Sequence, residues 1–168
     1  MDSLSGLISL RELETLARLL IATFLGGLVG WERERSGKVA GLRTHSLVAL
    51  GAALFTTISI LIFIDLPSVT GARGYSDRIV ANIIVGIGFI GAGSILKRDD
   101  RVEGTTTAAS LWVVAAVGMA AGLGYYKEAL ATALMAYAVL AGLWHIEKTL
   151  RTKIRYENGT SSSAESGE

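Results

Sequence analysis

Residues 79–96 form a stretch of 18 residues without a charged side chain, and this stretch limits what the chain can fold into. It contains Gly86, Gly88, Gly91 and Gly93, spaced as GxGxxGxG, a pattern also found in dinucleotide-binding turns. Such a turn joins a strand to an amphipathic helix in a soluble βαβ unit, whereas these glycines lie within an apolar run long enough to cross a bilayer. We therefore interpret the stretch as a transmembrane helix and its glycines as helix-packing positions.

The composition predicts a membrane protein for the chain as a whole. Of its 168 residues 51% are hydrophobic, the mean hydropathy is +0.47, and the charged residues fall mostly between apolar runs. A soluble domain of this size would expose far too much apolar surface. The net charge of +1 gives no indication of nucleic-acid binding. The absence of cysteine from the sequence excludes disulfides and thiolate metal sites.

Apolar runs and turn residues predict an all-α polytopic membrane protein with about five transmembrane helices. The predicted spans are approximately residues 10–31, 46–64, 77–97, 105–124 and 127–146. We expect a charged loop between the first two spans and a tight charged turn between the third and fourth. We further expect a cap from Thr105, Thr106 or Thr107 at the start of the fourth span and Gly124 as a C-cap at its end. Residues 1–150 would form the transmembrane domain, and 151–168 a basic helix end with a disordered cytoplasmic tail.

The distribution of basic residues predicts the orientation. With five spans, eleven Lys and Arg lie in the loops and the C-terminal end on one side, and the other five lie on the opposite side. The positive-inside rule then places the N-terminus outside and the C-terminus in the cytoplasm.

Small residues at helical spacing predict close helix contacts. Gly26 and Gly30 form one GxxxG pair and Gly118 and Gly122 form another. In the third span small residues fall on two opposite faces. We therefore expect the third and fourth spans to be central in the bundle, or to offer one face each to a homo-oligomer contact.

Two blocks of the sequence resemble the signature blocks of the MgtC/SapB family of bacterial inner-membrane proteins. The first block is GGLVGWERERSGKVAGLRTHSLVALGAALFT, residues 26–56, and the second is GIGFIGAGSILKRDDRVEGTTTAASLWVVAAVGMAAGLG, residues 86–124. Thr105 departs from the family pattern, in which an apolar residue is more usual. We expect a short form of the family that lacks the folded C-terminal cytoplasmic domain.

The resemblance implies a membrane regulator linked to magnesium homeostasis, low-magnesium adaptation and virulence. It suggests an F-type ATP synthase as the membrane partner, and it implies the bacterial cytoplasmic membrane as the location. The sequence contains no GxSxG, HExxH or P-loop motif, so no catalytic site is expected. The candidate functional residues are Glu32, Arg33, Arg43, Thr44, His45, Asn82, Thr106, Thr107 and Trp112.

The charged candidates allow two interpretations. Glu32, Arg33 and Arg43 form either a network that recognises a partner or gates an ion path, or interfacial ion pairs that fix topology and packing. Asp99, Asp100 and Glu103 could offer oxygen ligands to Mg²⁺. Neighbouring Lys and Arg side chains favour a solvated turn there instead.

The uncharged polar candidates are equally open. Asn82 either lines a path with Ser94, Thr56 or Thr57, or bonds to a neighbouring helix. His45 and His145 do not have the spacing of a zinc site. Trp31, Trp112 and Trp144 are interpreted as interface anchors or packing residues.

Two functions remain as rival hypotheses, beside a structural homo-oligomer that the GxxxG pairs Gly26/Gly30 and Gly118/Gly122 suggest. The first is a membrane regulator that acts on another membrane complex through helix contacts. The second is a transporter or channel for Mg²⁺ or another cation, which the ligand pattern does not support because acids are absent from the middle of every predicted span. No cofactor is expected.

Overall fold

The computed structural model describes residues 10–65, 72–98 and 101–142, with backbone alone at 72–77, 98 and 101. This part of the chain contains five helices and one short β-ribbon. The elements are α1 Leu10–Arg35, α2 Leu42–Asp65, α3 Ala72–Gly93, β1 Leu96–Arg98, β2 Arg101–Glu103, α4 Thr105–Leu123 and α5, residues 126–142. The predicted all-α fold class is therefore confirmed. The predicted tail and the end of the fifth span lie outside the described residues.

Three of the helices are long and apolar enough to cross a membrane. They are α1, α2 and α4. At 1.5 Å per residue the 24 residues of α2 extend ~36 Å, more than the roughly 30 Å hydrocarbon core. In α3 the apolar part is shorter, Arg78–Gly93. The chain is thus an all-α membrane protein.

The connection between α1 and α2 is shorter than predicted. We expected a charged loop over residues 32–45, but α1 continues to Arg35 because Glu and Arg are good helix formers. The helix ends where Gly37 adopts a left-handed conformation, φ 66°. The amide of Lys38 donates to the carbonyl of Arg33 at 3.0 Å and closes the turn. The charged residues of this segment, apart from Lys38, therefore lie on helix ends and not in a loop.

The turn after α3 is a β-ribbon. The helix ends at Gly93, before the predicted end at Lys97, and β1 pairs antiparallel with β2. Gly104 then precedes α4 with φ 91°, and a Cβ there would overlap the carbonyl oxygen of Ser94. The predicted threonine cap is wrong, because Gly104 occupies the N-cap position and no side chain bonds to the helix end.

The C-terminal end of α4 agrees with prediction. Gly124 is left-handed, φ 85°. The amide of Gly124 donates to the carbonyl of Ala121 at 3.0 Å, and the amide of Tyr125 donates to the carbonyl of Ala120 at 2.8 Å. This is the Schellman arrangement, which satisfies the last carbonyls of a helix.

Two helices, α2 and α4, are central in the described bundle. α2 packs against α1, α3 and α4, and α4 packs against α1, α2 and α3, as expected for the fourth span. On the α1 side, a Cβ at Gly26 would lie 2.6 Å from Ala49 Cβ, and one at Gly30 would lie 2.8 Å from Leu42 Cα. On the α4 side, a Cβ at Gly122 would lie 2.6 Å from the carbonyl oxygen of Ala53. Glycine therefore permits backbone contact with α2 from both sides.

The helix α3 is peripheral in the described bundle, so the expectation that it is central is wrong, whereas the alternative that it offers one face to an oligomer contact stays a prediction. Gly91 lies against α4, where a Cβ at position 91 would be 3.5 Å from Ala108 Cβ. At Gly86, Gly88 and Gly93 a Cβ would meet no described atom within 4 Å. Gly86 and Gly88 lie about 200° apart around the helix, so α3 has uncovered surface on two sides in the described part of the chain.

Candidate functional site

Several polar residues meet at the end of the bundle where α1 turns into α2. We call Glu32, Arg33, His45, Thr107 and Ser110 the polar cluster. All five are buried, with at most 5% of each residue exposed. The close approach of α1 and α2 holds them there, since a Cβ at the preceding Gly30 would be 2.9 Å from His45 Cβ.

His45 joins α2 to α4 through its imidazole ring. Nδ1 lies 2.9 Å from the carbonyl oxygen of Gly41, and Nε2 lies 3.0 Å from Ser110 Oγ. A carbonyl oxygen only accepts, so Nδ1 carries hydrogen in this arrangement. Ser110 Oγ also lies 2.8 Å from the carbonyl oxygen of Thr107, so one hydroxyl hydrogen faces two acceptors when the ring is neutral. The cluster thus contains a continuous hydrogen-bonded link between two helices.

The Glu32–Arg33 pair is buried and incompletely satisfied. The two side chains are 6% and 4% exposed, and Arg33 Nη1 lies 3.5 Å from Glu32 Oε2. Ser36 Oγ donates to Glu32 Oε1 at 2.7 Å. Glu32 Oε2 and Arg33 Nε and Nη2 are buried without a hydrogen-bond partner. Adjacent residues of a helix do not face each other, which explains the long contact. Charges in such a place require further partners, because an unpaired buried charge is costly.

Arg43 and Thr44 lie apart from the polar cluster. They line one end of a groove of about 780 Å³ between α2 and α3, together with apolar side chains and Asn82. Arg43 is exposed and forms no ion pair within the described ranges. The sequence candidates therefore divide between a buried cluster and an open groove.

The path proposed for Asn82 is not assembled in the described structure. Asn82 is exposed on α3. Thr56 lies fully buried in α2 with an unpaired Oγ1. Thr57 donates to the carbonyl of Ala53 at 2.8 Å, and Ser94 donates to that of Gly91 at 2.7 Å, so both hydroxyls bond mainly within their own segments.

The remaining candidates are on the surface or outside the described residues. Thr106 is exposed, and Trp31 and Trp112 are 61% and 52% exposed. Glu103 is exposed, whereas Asp99, Asp100, Trp144 and His145 lie outside the described residues. Within residues 10–65, 72–98 and 101–142, no three His, Cys, Asp or Glu side chains are grouped to hold a metal ion.

Two features of the site were missed in the sequence. Ser110 was not singled out, although a serine five residues into a predicted span is a signal for a helix-to-helix hydrogen bond. Arg18 lies within the first predicted span, and the partner that the sequence could not identify is the carbonyl oxygen of Gly122 in α4, 2.7 Å from Nη1. Glu14 forms an ion pair with the same guanidinium.

Comparison with known proteins identifies relatives over most of the chain. The model of the MgtC family matches residues 19–149. YhiD of Escherichia coli K12, provisionally named a magnesium transporter, is 43% identical over 127 residues, which are 76% of this chain and 59% of YhiD.

Two further relatives match a similar share of the chain. Protein MgtC of Salmonella typhimurium LT2 is 44% identical over 117 residues, 70% of this chain and 47% of that protein. An uncharacterized Synechocystis protein, slr0014, is 44% identical over 122 residues, 73% of this chain and 49% of that protein. The chain thus spans about half the length of the curated relatives it matches. No solved structure matches it significantly.

Proposed function

Because this chain belongs to the MgtC family of membrane proteins, we propose that it is a regulatory protein of magnesium homeostasis that acts on another membrane complex. The contact with that complex is made between helices inside the bilayer. Relatives named for magnesium transport or for MgtC itself support the link to magnesium. The helix that makes the contact is α3.

The observation that carries this proposal is the uncovered surface of α3. We call the residues Ala81, Val85, Gly88, Phe89 and Ala92 the open face. Val85 and Phe89 are 72% and 84% exposed. Gly88 and Ala92 are four residues apart on this face, and a Cβ at Gly88 would meet nothing within 4 Å. The open face is therefore a small-xxx-small surface with no partner in the described structure.

Such a surface fits a partner helix better than it fits lipid alone. Apolar side chains facing lipid need no small residues, whereas small residues allow two helix backbones to approach closely. In α1 and α4 the GxxxG pairs already contact α2. Asn82 lies at the edge of the open face, where its exposed amide can bond to a second helix.

The partner suggested by the family is the F-type ATP synthase of the bacterial cytoplasmic membrane. Inverted membrane vesicles with and without this protein test that assignment through ATP-driven proton pumping. The protein should lower the pumping rate, and Gly88→Leu should restore it by blocking the open face. Gly142→Leu is the matched control, because a Cβ there also meets nothing within 4 Å but lies on α5. Equal pumping with and without the protein would exclude the ATP synthase as partner.

A second candidate function is transport of Mg²⁺. It is favoured by the name of YhiD and by the polar residues Thr44 and Asn82 along the α2–α3 groove. The cation Arg43 opposes it, because a Mg²⁺ path requires oxygen ligands. A magnesium-sensitive dye inside proteoliposomes that contain only this chain measures Mg²⁺ entry and so distinguishes transport from regulation. A Mg²⁺ flux above that of empty vesicles that is lost in Asn82→Leu would establish transport. A flux equal to that of empty vesicles would exclude transport by this chain.

A further inference from the structure

The groove between α2 and α3 has mostly apolar walls, with Asn82 as a polar residue of its lining and the cation of Arg43 at one end. Leu47, Val48 and Phe55 contribute to the wall from α2, and Ile83 and Ile87 contribute from α3. Arg43 and Thr44 line it where α2 begins, beside the charged connection to α1. A ligand that matches this arrangement has a long apolar part and an anionic end.

The length of the groove matches one leaflet of a bilayer. Its lining extends along α2 from Arg43 to Phe55. Twelve helical steps of 1.5 Å give ~18 Å, and half of the roughly 30 Å hydrocarbon core is ~15 Å. A groove that begins at the interface therefore reaches about as deep as one acyl chain.

We propose that the α2–α3 groove binds one anionic phospholipid of the cytoplasmic leaflet. Its phosphate contacts the guanidinium of Arg43, and one acyl chain follows the apolar walls. Arg43 makes no ion pair within the described ranges, so its charge is available. Guanidinium binds phosphate through paired hydrogen bonds. This inference is independent of the proposed action on a membrane complex, which uses the open face.

The glycines of the groove allow a direct test of the acyl-chain position. At Gly51 and at Gly86 a Cβ would meet nothing within 4 Å, and both residues line the groove. Leucine at either position would therefore fill the groove without a collision with the backbone. Gly142 of α5 has equally open space and does not line the groove, so Gly142→Leu is the matched control.

The experiment is native mass spectrometry of the full chain, purified with equal amounts of phosphatidylglycerol and phosphatidylcholine. Wild type should retain one phosphatidylglycerol, about tenfold in preference to phosphatidylcholine. Both lipids carry a phosphate, but the choline cation of phosphatidylcholine offsets the attraction of that phosphate to Arg43. Arg43→Gln should remove the preference and Arg43→Lys should keep most of it. Gly51→Leu and Gly86→Leu should reduce retention of both lipids. Lys38→Gln, which removes an exposed cation outside the groove, and Gly142→Leu should behave as wild type.

Folding is checked on the same samples through helical circular dichroism. If folded Arg43→Gln and Gly86→Leu retain phosphatidylglycerol as wild type does, the lipid is not in the groove and the proposal is wrong. If the groove instead holds a second copy, Gly86→Leu will abolish a dimer and no variant will change lipid retention, which also overturns it.

Discussion

Gly118 of α4 lies directly on the backbone of Ala49 in α2, so that a Cβ at position 118 would overlap the carbonyl oxygen of Ala49. From the opposite side Gly26 of α1 approaches the same alanine, and a Cβ at position 26 would lie 2.6 Å from Ala49 Cβ. Three helices therefore meet at one small residue. This contact joins α2 to both of its long neighbours.

Gly118→Ala is expected to destabilise the protein by ~1–3 kcal/mol, because the added methyl group forces α2 and α4 apart. The free energy of unfolding in mixed SDS micelles measures the effect. Gly88→Ala is the control, since it adds the same methyl group in open space. Equal stability of the two variants would show that Gly118 is not at a tight contact.

Part of this arrangement could be predicted from the sequence. The GxxxG spacing identified Gly26, Gly30, Gly118 and Gly122 as packing positions, and the structure places all four against α2. The spacing could not identify the partner helix. In α3 the same spacing of small residues suggested neighbouring helices on two sides. The spacing shows only which residues share a helix face and not whether another helix covers that face.

Arg18→Met is expected to destabilise the protein by ~1–3 kcal/mol. The guanidinium of Arg18 donates to the carbonyl of Gly122 at 2.7 Å and so satisfies the end of α4. Arg11→Met is the matched control: Arg11 pairs with Asp65 at 2.7 Å, but both side chains are about half exposed. Such an exposed pair contributes ~0–1 kcal/mol. Thermal unfolding in detergent compares the two, and a larger loss for Arg11→Met would contradict the assignment.

His45 and Ser110 are expected to be energetically coupled. A double-mutant cycle with His45→Ala and Ser110→Ala should give a coupling free energy of about 0.5–1.5 kcal/mol, the range of one buried hydrogen bond. The 3.0 Å contact between Nε2 and Oγ is the reason. Ser94→Ala serves as control, since Ser94 bonds to the carbonyl of Gly91, and it should show no coupling to His45. Additive effects of His45→Ala and Ser110→Ala would refute the link.

Arg33→Met is expected to cost ~3–5 kcal/mol, because it leaves Glu32 charged and buried without its cation. Adding Glu32→Gln should recover most of that loss, since the amide keeps a bond from Ser36 Oγ and carries no charge. Unfolding in SDS is the measurement for both variants. If the double variant is less stable than Arg33→Met, the two residues do not compensate each other.

The polar cluster could be predicted only in part from the sequence. The sequence identified Glu32, Arg33 and His45 as candidates, and the family resemblance that directed attention to them is confirmed. Their burial could not be predicted, because a charged segment between two apolar runs is typical of a solvated loop. The helix α1 continues through Glu32 and Arg33 to Arg35, and this carries both side chains inside. Ser110 was missed because its role depends on which residue of α2 lies opposite.

In the proposed function, α3 contacts another membrane complex through the open face. Photocrosslinking in native membranes tests it directly, with p-benzoylphenylalanine in place of Phe89 and, as control, in place of Phe24, an exposed phenylalanine of α1. We expect a discrete crosslinked product with a subunit of another membrane complex from position 89 and lipid adducts alone from position 24. Lipid adducts alone from both positions, or crosslinks only to a second copy of this chain, would contradict it.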